Sequence, residues 1–596
     1  MFLALCNLCL INLASAWRMS DSRRNIYVMR KNVLTIVLCM LTLLLTSCSL
    51  FGGNNTQSTQ QVKAPPDKQI YIAPLAGISD ISTFDPALAN DPSSIAAIQM
   101  VFTGLVQLDD KANVQPQLAK TWNVSPDGLT WTFHLKPHLM FSDGTPLTSA
   151  DVAYSIDRAL QPATKSTVAP IYLDLIRDSD KLLAGTISSL INDSLLTPDA
   201  NTLVVQIRKK AAYFLSMLTY PCAYVVEKRL VQESGTSFTD HLTFGGGAGP
   251  FRVTQYIHGK EIDFAPNPNY YDTQPQLKKV VFPFYPQEAA AYSAYQAGSV
   301  DATGVPVVTF ASDKQRSDFH FVPQLWTNYY TMNYLVKPFD NISIRQAFAL
   351  ALDKTAISNT VWHGTILPSN HIIPQGMPGY NPNLSGPDGT QNLTGNAQLA
   401  KNLLMKGIQA EGWSSISQMP SITLTYAKGV SSFDQEVKSM IAMWKDALGV
   451  IVKADPVDYT TLLDRVTAAT NNAQGLQMWG LTWAAEYPDP QDWLTRQFDA
   501  GVPNNNMNYG QNFTNDAALQ QKTQQQLEAS DADFHAQERL QSYQKAEQQL
   551  VNDVAWLPME QGAQVYLLKP YVIGLVVNPQ GFVPPDDWAN IYVVQH

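Results

Sequence analysis

Cysteine is nearly absent from the body of this 596-residue chain: of five, Cys6, Cys9, Cys39 and Cys48 precede residue 49 and only Cys222 follows. A disulfide framework or a thiolate metal site is thereby excluded from the body. Cys222 stands in the apolar run LTYPCAYVV and reads as a small buried hydrophobe. Charge is also sparse, at 15% of residues with a net −10, and no basic patch stands out, so nucleic acid is not an expected partner. The signatures H-E-x-x-H, G-x-S-x-G and G-x-x-x-x-G-K-S/T do not occur. The run Gly245-Gly246-Gly247-Ala248-Gly249 lacks the following Lys-Ser/Thr of a phosphate cradle and meets Pro250 at once, which points to a tight structural turn. His134 and His138 lie four apart, but Pro137 intervenes and the first falls in a strand, so no metal site is expected from protein ligands alone. No internal repeat is present, and no second long apolar segment follows residue 48.

The one long apolar segment lies near the start. Residues 29–48 read MRKNVLTIVLCMLTLLLTSC: Arg30 and Lys31 supply a positive flank, and Val33 to Leu45 form an apolar stretch too short to span a bilayer comfortably. Leu45-Thr46-Ser47-Cys48 is similar to the bacterial lipobox, in which the Cys thiol receives a diacylglycerol and becomes the mature first residue. Residues 1–48 are thus expected to be a signal peptide with lipobox, Cys48 the lipidation site, and Met29 the true start of translation. Residues 49–67, with GGNNTQSTQQ and APP, have nothing to bury and read as a flexible tether.

What remains is rich in core-forming residues: 45% hydrophobic, with 12 Trp, 25 Tyr and 23 Phe. Such a chain folds, and its length predicts two or three lobes rather than one core. The clearest local pattern spans 117–160. Ser125 to Gly128 is a turn, Leu129 to Leu135 alternates apolar and polar as a half-buried strand, and Ser142 to Pro146 is a second turn. Thr148 with Asp151 then forms a capping box opening a helix through Leu160. Further on, Ser343 with Gln346 is expected to cap a helix, another is expected from about Asp531 to Val551, and Lys279–Tyr285 and Ser421–Tyr426 read as strands. Strands and helices in no strict order predict α/β lobes built from discontinuous segments.

The stretch QLAKTWNVSPDGLTWTFHLKPHLMFSDGTPLTSADVAYSIDRAL resembles the signature of the family 5 extracellular solute-binding proteins, the oligopeptide-, dipeptide- and nickel-binding group. Shorter matches follow in the right order: Thr83-Phe84-Asp85-Pro86, Gly247 to Phe251, Asn267 to Tyr271, Ala294 to Asp301, and Ile344 to Phe348 with Asp353-Lys354. The resemblance implies an α/β, bilobal flytrap fold of the periplasmic-binding-protein type with an additional domain on the first lobe. Lobe I is expected from 68–102, 241–325 and 561–596, the additional domain from 103–240, and lobe II from 326–560. It further implies a monomer with no cofactor. Such a protein would capture a peptide between its lobes and pass it to an ABC permease with its ATPase subunits, at the outer face of the cytoplasmic membrane. A metal chelate or another small solute as ligand, a sensing rather than an importing receptor, and a secreted hydrolase on the same scaffold are the alternatives.

Free-peptide capture needs an edge that pairs with backbone groups and a carboxylate for the ammonium. Gln477 to Trp483 is strand-like and ends in Ala484-Ala485-Glu486-Tyr487-Pro488-Asp489-Pro490, which resembles the family segment whose acid pairs with the ammonium. By that resemblance Glu486 takes the acidic place, one methylene longer than the usual Asp, with Thr482, Trp483 and Ala484 as the edge and Asp489 as a nearby substitute. On the opposite side Asn90 and Asp91 occupy the loop that meets the ligand backbone, where Pro92 offers no N–H. Trp326, Tyr329 and Tyr330 either line the cleft or belong to the core.

Overall fold

Three larger sheets and two of two strands each carry the chain in a computed structural model that describes residues 62–596. Cys48, the expected signal peptide and most of the expected tether lie outside the described residues. The tether's far end does not read as expected: Lys63 bridges to Val594, the Ala64 amide donates to the Val593 carbonyl at 2.9 Å, and Ala64 is buried. Pairing with a distant strand overrides the polar, proline-rich composition there.

The first sheet orders Ile70–Ile72, Lys279–Tyr285, Glu261–Pro266 and Phe251–Ile257, with Leu75–Ala76 also on Lys279–Tyr285. The second is an antiparallel set of Ala119–Val124, Thr130–Leu135, Thr202–Gln206 and Leu195–Asp199. Within it Thr130–Leu135 buries every second residue, so Trp131, Phe133 and Leu135 enter the core as their alternation demands. The neighbouring helix Ser149–Leu160 carries the full capping box of Thr148 and Asp151.

The third and largest sheet runs Ala302–Gly304, Leu557–Leu568, Phe319–Met332, Met478–Ala484, Ile422–Ala427 and Val452–Val457. Its two longest strands, Phe319–Met332 and Leu557–Leu568, pair antiparallel with a register break between Pro323 and Thr327, where proline cannot donate to the ladder. Beyond that break they change cores. Tyr566 and Leu568 pack with Tyr71, Phe251 and Trp588, whereas Tyr330 and Leu557 pack with Phe348 and Trp444. The pair is therefore a ribbon joining two separately cored bodies.

Two helices differ from expectation. Asn341, rather than Ser343, caps Ile342–Leu350, because its side chain is already placed to accept from the Ser343 amide. The helix expected from about Asp531 to Val551 begins only at Ala536, as Ala536–Asn552; a separate helix, Ala517–Asp531, precedes it, and between the two the Asp533 carboxylate accepts the His535 amide at 2.9 Å. Cys222 is buried and free, and burial pushes its thiol well above the ordinary range.

The glycine run near 247 is a close approach between backbones as well as a turn. The Gly249 amide donates to the Val101 carbonyl at 2.7 Å, and a Cβ on Gly247 would stand 2.1 Å from that same oxygen. Gly247→Ala must move backbone rather than a side chain. It is expected to cost about 1–3 kcal/mol, the usual range for overpacking, seen as a lowered thermal midpoint beside an unaltered Gly304→Ala control, whose Cβ meets nothing within 4 Å on backbone that any residue adopts.

Candidate functional site

The strand Met478–Ala484 is paired along its whole length on one side, from Met332↔Met478 to Trp326↔Ala484. On its other side it meets the parallel strand Ile422–Ala427 only at Leu424↔Met478 and Thr425↔Trp479. From Gly480 onward that edge has no strand partner among the described residues. Thr482 and Ala484 are exposed and Trp483 is half-buried. Thr482 donates its hydroxyl to Asn328 Oδ1 at 2.6 Å, which orients this stretch against the neighbouring strand. Unpaired N–H and C=O groups on a rigid strand form a surface that an extended peptide can pair with.

Two residues after the strand, the half-buried Glu486 ends the edge with a carboxylate. Its amide donates to Asp492 Oδ2 at 3.0 Å, and the Trp483 indole N–H donates to the same oxygen at 3.3 Å, so one buried acid fixes both residues. Burial pushes Asp492 up to about 8, against the pull of Arg496. Glu486 Oε2 accepts the Tyr172 hydroxyl at 2.6 Å. Burial first, and the Glu486 charge second, hold the Tyr172 phenol far above its ordinary range, so it remains a donor. Tyr172 stacks on Tyr220 with ring centroids 3.7 Å apart, and the Tyr220 hydroxyl donates to the Ala89 carbonyl at 2.9 Å. A chain of contacts thus joins Glu486 to the loop that carries the exposed Asn90.

The other expected residues are placed differently. Asp91 caps the helix Pro92–Val101, accepting the Ser94 amide at 2.9 Å and the Ser82 hydroxyl. Asp489 is buried and bound by both terminal nitrogens of Arg539, at 2.5 and 2.9 Å. Both carboxylates are already engaged in this structure. Tyr329 is buried and stacks on Trp556 at 3.6 Å, Tyr330 is buried, and Trp326 is half-buried. The sequence reading missed Tyr172, which no local pattern distinguishes from the other tyrosines.

A cavity of about 620 Å³ is walled by Ala76, Thr303 and Val565 together with Trp362, Ser431 and Gln435. None of the sequence-expected site residues lines it. A second, of about 310 Å³, takes Thr482 into its wall.

Residues 113–505 match the model of the bacterial extracellular solute-binding proteins, family 5. The chain belongs to that family. This family 5 protein is 26% identical over 483 residues to the oligopeptide-binding protein of Bacillus subtilis, covering 80% of this chain and 85% of the relative. It is 27% identical over 530 residues to a probable deoxycholate-binding periplasmic protein of Escherichia coli, covering 87% and 92%. Among solved structures, the unliganded open form of a periplasmic murein tripeptide binding protein superposes with a TM-score of 0.75 at 25% identity, covering 90% of this chain and 99% of that one. The α/β flytrap fold inferred from the sequence resemblance is therefore the fold of the protein. Its matched relatives are solute-binding proteins. Among the described residues no helix is long and apolar enough to cross a membrane.

Proposed function

We propose that this protein is the lipid-anchored substrate-binding subunit of an ABC importer, capturing peptides between its lobes without chemical change. Lobe I comprises 68–102, 241–325 and 561–596, lobe II comprises 326–560, and 103–240 is the additional domain. The ribbon of Phe319–Met332 and Leu557–Leu568, changing cores at Pro323, supplies the hinge region this division needs. Cys48 carries the anchor on the outer face of the cytoplasmic membrane, and the loaded monomer delivers its cargo to a permease powered by separate ATPase subunits.

One observation carries the peptide reading: a strand edge left unpaired from Gly480 that leads directly to the Glu486 carboxylate. In this reading Thr482, Trp483 and Ala484 pair with the ligand backbone, and Glu486, steadied by Tyr172, receives the ligand ammonium. Asn90 meets the ligand from the other lobe. A buried ammonium without a counter-charge would be strongly unfavourable, so the carboxylate sets the register of the peptide.

Glu486→Gln is expected to weaken binding of a free-amine tetrapeptide about tenfold, while binding of its N-acetylated form changes less than twofold. Calorimetry on the two peptides decides it, since equal losses for both would remove the ammonium assignment. The deoxycholate-binding relative supplies the second reading, a non-peptide solute. Deoxycholate in the same titration, binding where both peptides fail, would replace the peptide reading.

A further inference from the structure

The 310 Å³ cavity stands where two parallel strands diverge. Ile422–Ala427 and Met478–Ala484 are paired only at Leu424↔Met478 and Thr425↔Trp479; past that point they separate, and the cavity opens between Tyr426 to Lys428 on one side and Gly480 to Thr482 on the other. A crevice at the carboxyl ends of parallel strands is a recurrent place for a ligand. Here the same Gly480–Thr482 segment is also the free edge proposed to pair with the ligand backbone.

The walls are aromatic: Tyr330, Tyr426, Phe433 and Tyr459. At the cavity lies Glu436, fully buried on the helix Ser431–Leu448. Its Oε2 accepts the Trp362 indole N–H at 2.7 Å and the Tyr330 hydroxyl also favours its charged form, while among the described residues no cation pairs with Oε1. Glu560 is fully buried next to it electrostatically, and neither of its carboxylate oxygens has a partner. The buried cation of this group is Lys354, whose Nζ donates to the Ser369 carbonyl at 2.9 Å and to Asn370 Oδ1 at 2.6 Å. Lys354 acts electrostatically on Glu560, which in turn is raised by the Glu436 charge. Around the cavity, Lys428 is held by Asp458 at 3.2 Å, and Asp434 accepts the Tyr426 hydroxyl at 2.8 Å. The protein's own cations leave Glu436 Oε1 unanswered.

We propose that this pocket receives a basic side chain of the bound peptide, with Glu436 as its counter-charge and the tyrosine and phenylalanine rings packing around its aliphatic stem and cationic head. The inference rests on the peptide reading given above. Aromatic rings favour a cation over their faces, and a buried carboxylate with a free oxygen completes the recognition. Burial raises the Glu436 carboxyl, against hydrogen bonds from Trp362 and Tyr330 that favour its charged form. A side chain delivered from a ligand strand paired at Gly480–Thr482 would be one of those that alternate toward this face.

The probe is penta-alanine with a free amine, carrying a single Lys or a single norleucine at each of positions two to five, titrated calorimetrically into the intact protein. At one position Lys is expected to bind at least tenfold more tightly than norleucine. In Glu436→Gln that preference should fall below threefold, with the norleucine peptide binding as before. Lys and norleucine within threefold of each other at every position of the wild type would overturn the pocket assignment, as would a preference that survives in Glu436→Gln. Penta-alanine separates the two readings: if it binds and no Lys preference exists, the pocket assignment fails alone. If no peptide of the set binds, peptide capture and the pocket fall together. The wild-type comparison needs no variant, so misfolding of Glu436→Gln cannot decide the question.

Discussion

Asp489→Ala should lower the stability of the protein by about 3–5 kcal/mol, the usual loss when one member of a buried ion pair is removed. Asp489 and Arg539 retain only 7% and 8% side-chain exposure, and the guanidinium grips the carboxylate with both terminal nitrogens. Arg539 Nε is bound as well, to the Ser530 carbonyl at 3.2 Å. Without Asp489 the guanidinium keeps its burial and loses its counter-charge, and the Gln491 amide loses the acceptor that caps the short helix Pro490–Trp493. The double replacement Asp489→Leu with Arg539→Met removes both charges and should recover most of the loss. Urea unfolding of the wild type and the two variants measures this. A single variant within about 1 kcal/mol of wild type would show that water reaches the site and that the pair is not a buried one. Because Asp489 lies three residues beyond Glu486, its loss should also weaken peptide binding, including that of N-acetylated peptides, which Glu486→Gln should spare.

That contrast marks where sequence reading stops. Glu486 and Asp489 stand in one short stretch, Ala484 to Pro490, and nothing local tells which is free. The partner that decides, Arg539, comes 50 residues later, and the Tyr172 hydroxyl that meets Glu486 comes 314 residues earlier. Elements written by short-range pattern were legible: the alternation of Thr130–Leu135, the capping box at Thr148, and the strand run that ends at Ala484 each follow from periodicity or a local hydrogen bond. Glu436 shows the opposite case. An acid on an amphipathic helix reads as a solvated face, yet the helix turns it into a cavity at the end of a sheet. The Lys63–Asp67 segment misleads in the same way, since its composition describes a tether while its pairing with the chain terminus is set at long range.

Buried acids also set how stability should respond to pH, and the sign is unusual. Burial pushes Glu547 up to about 8, Asp492 up to about 8 and Glu436 up to about 7. The unfolded chain releases these protons near pH ~4, so between that value and pH 8 the folded form holds more protons than the unfolded one. Their contribution to stability is complete below about pH 4 and is lost as pH rises through the folded values. Two groups oppose this. Burial pushes His371 down to about 4 and Lys354 down to about 7, and each adds stability with rising pH, the first up to its ordinary value near 6.5 and the second only above 7. Three carboxyls, against one histidine below pH ~6.5 and one lysine above pH 7, leave a net loss across the neutral range. Each uncompensated proton is worth ~1.4 kcal/mol per pH unit, so the protein should be at least ~3 kcal/mol less stable at pH 8 than at pH 5, with a clearly lower thermal midpoint. Glu547→Gln sharpens the test: Glu547 Oε1 accepts the Ile372 and Ile373 amides at 3.0 and 2.8 Å, a role the amide oxygen of glutamine can keep. The variant should therefore fold, and its stability should fall less steeply with pH. A midpoint that rises from pH 5 to pH 8 in the wild type, or an unchanged slope in Glu547→Gln, would mean that these carboxyls are charged in the folded protein and answered by water or cations.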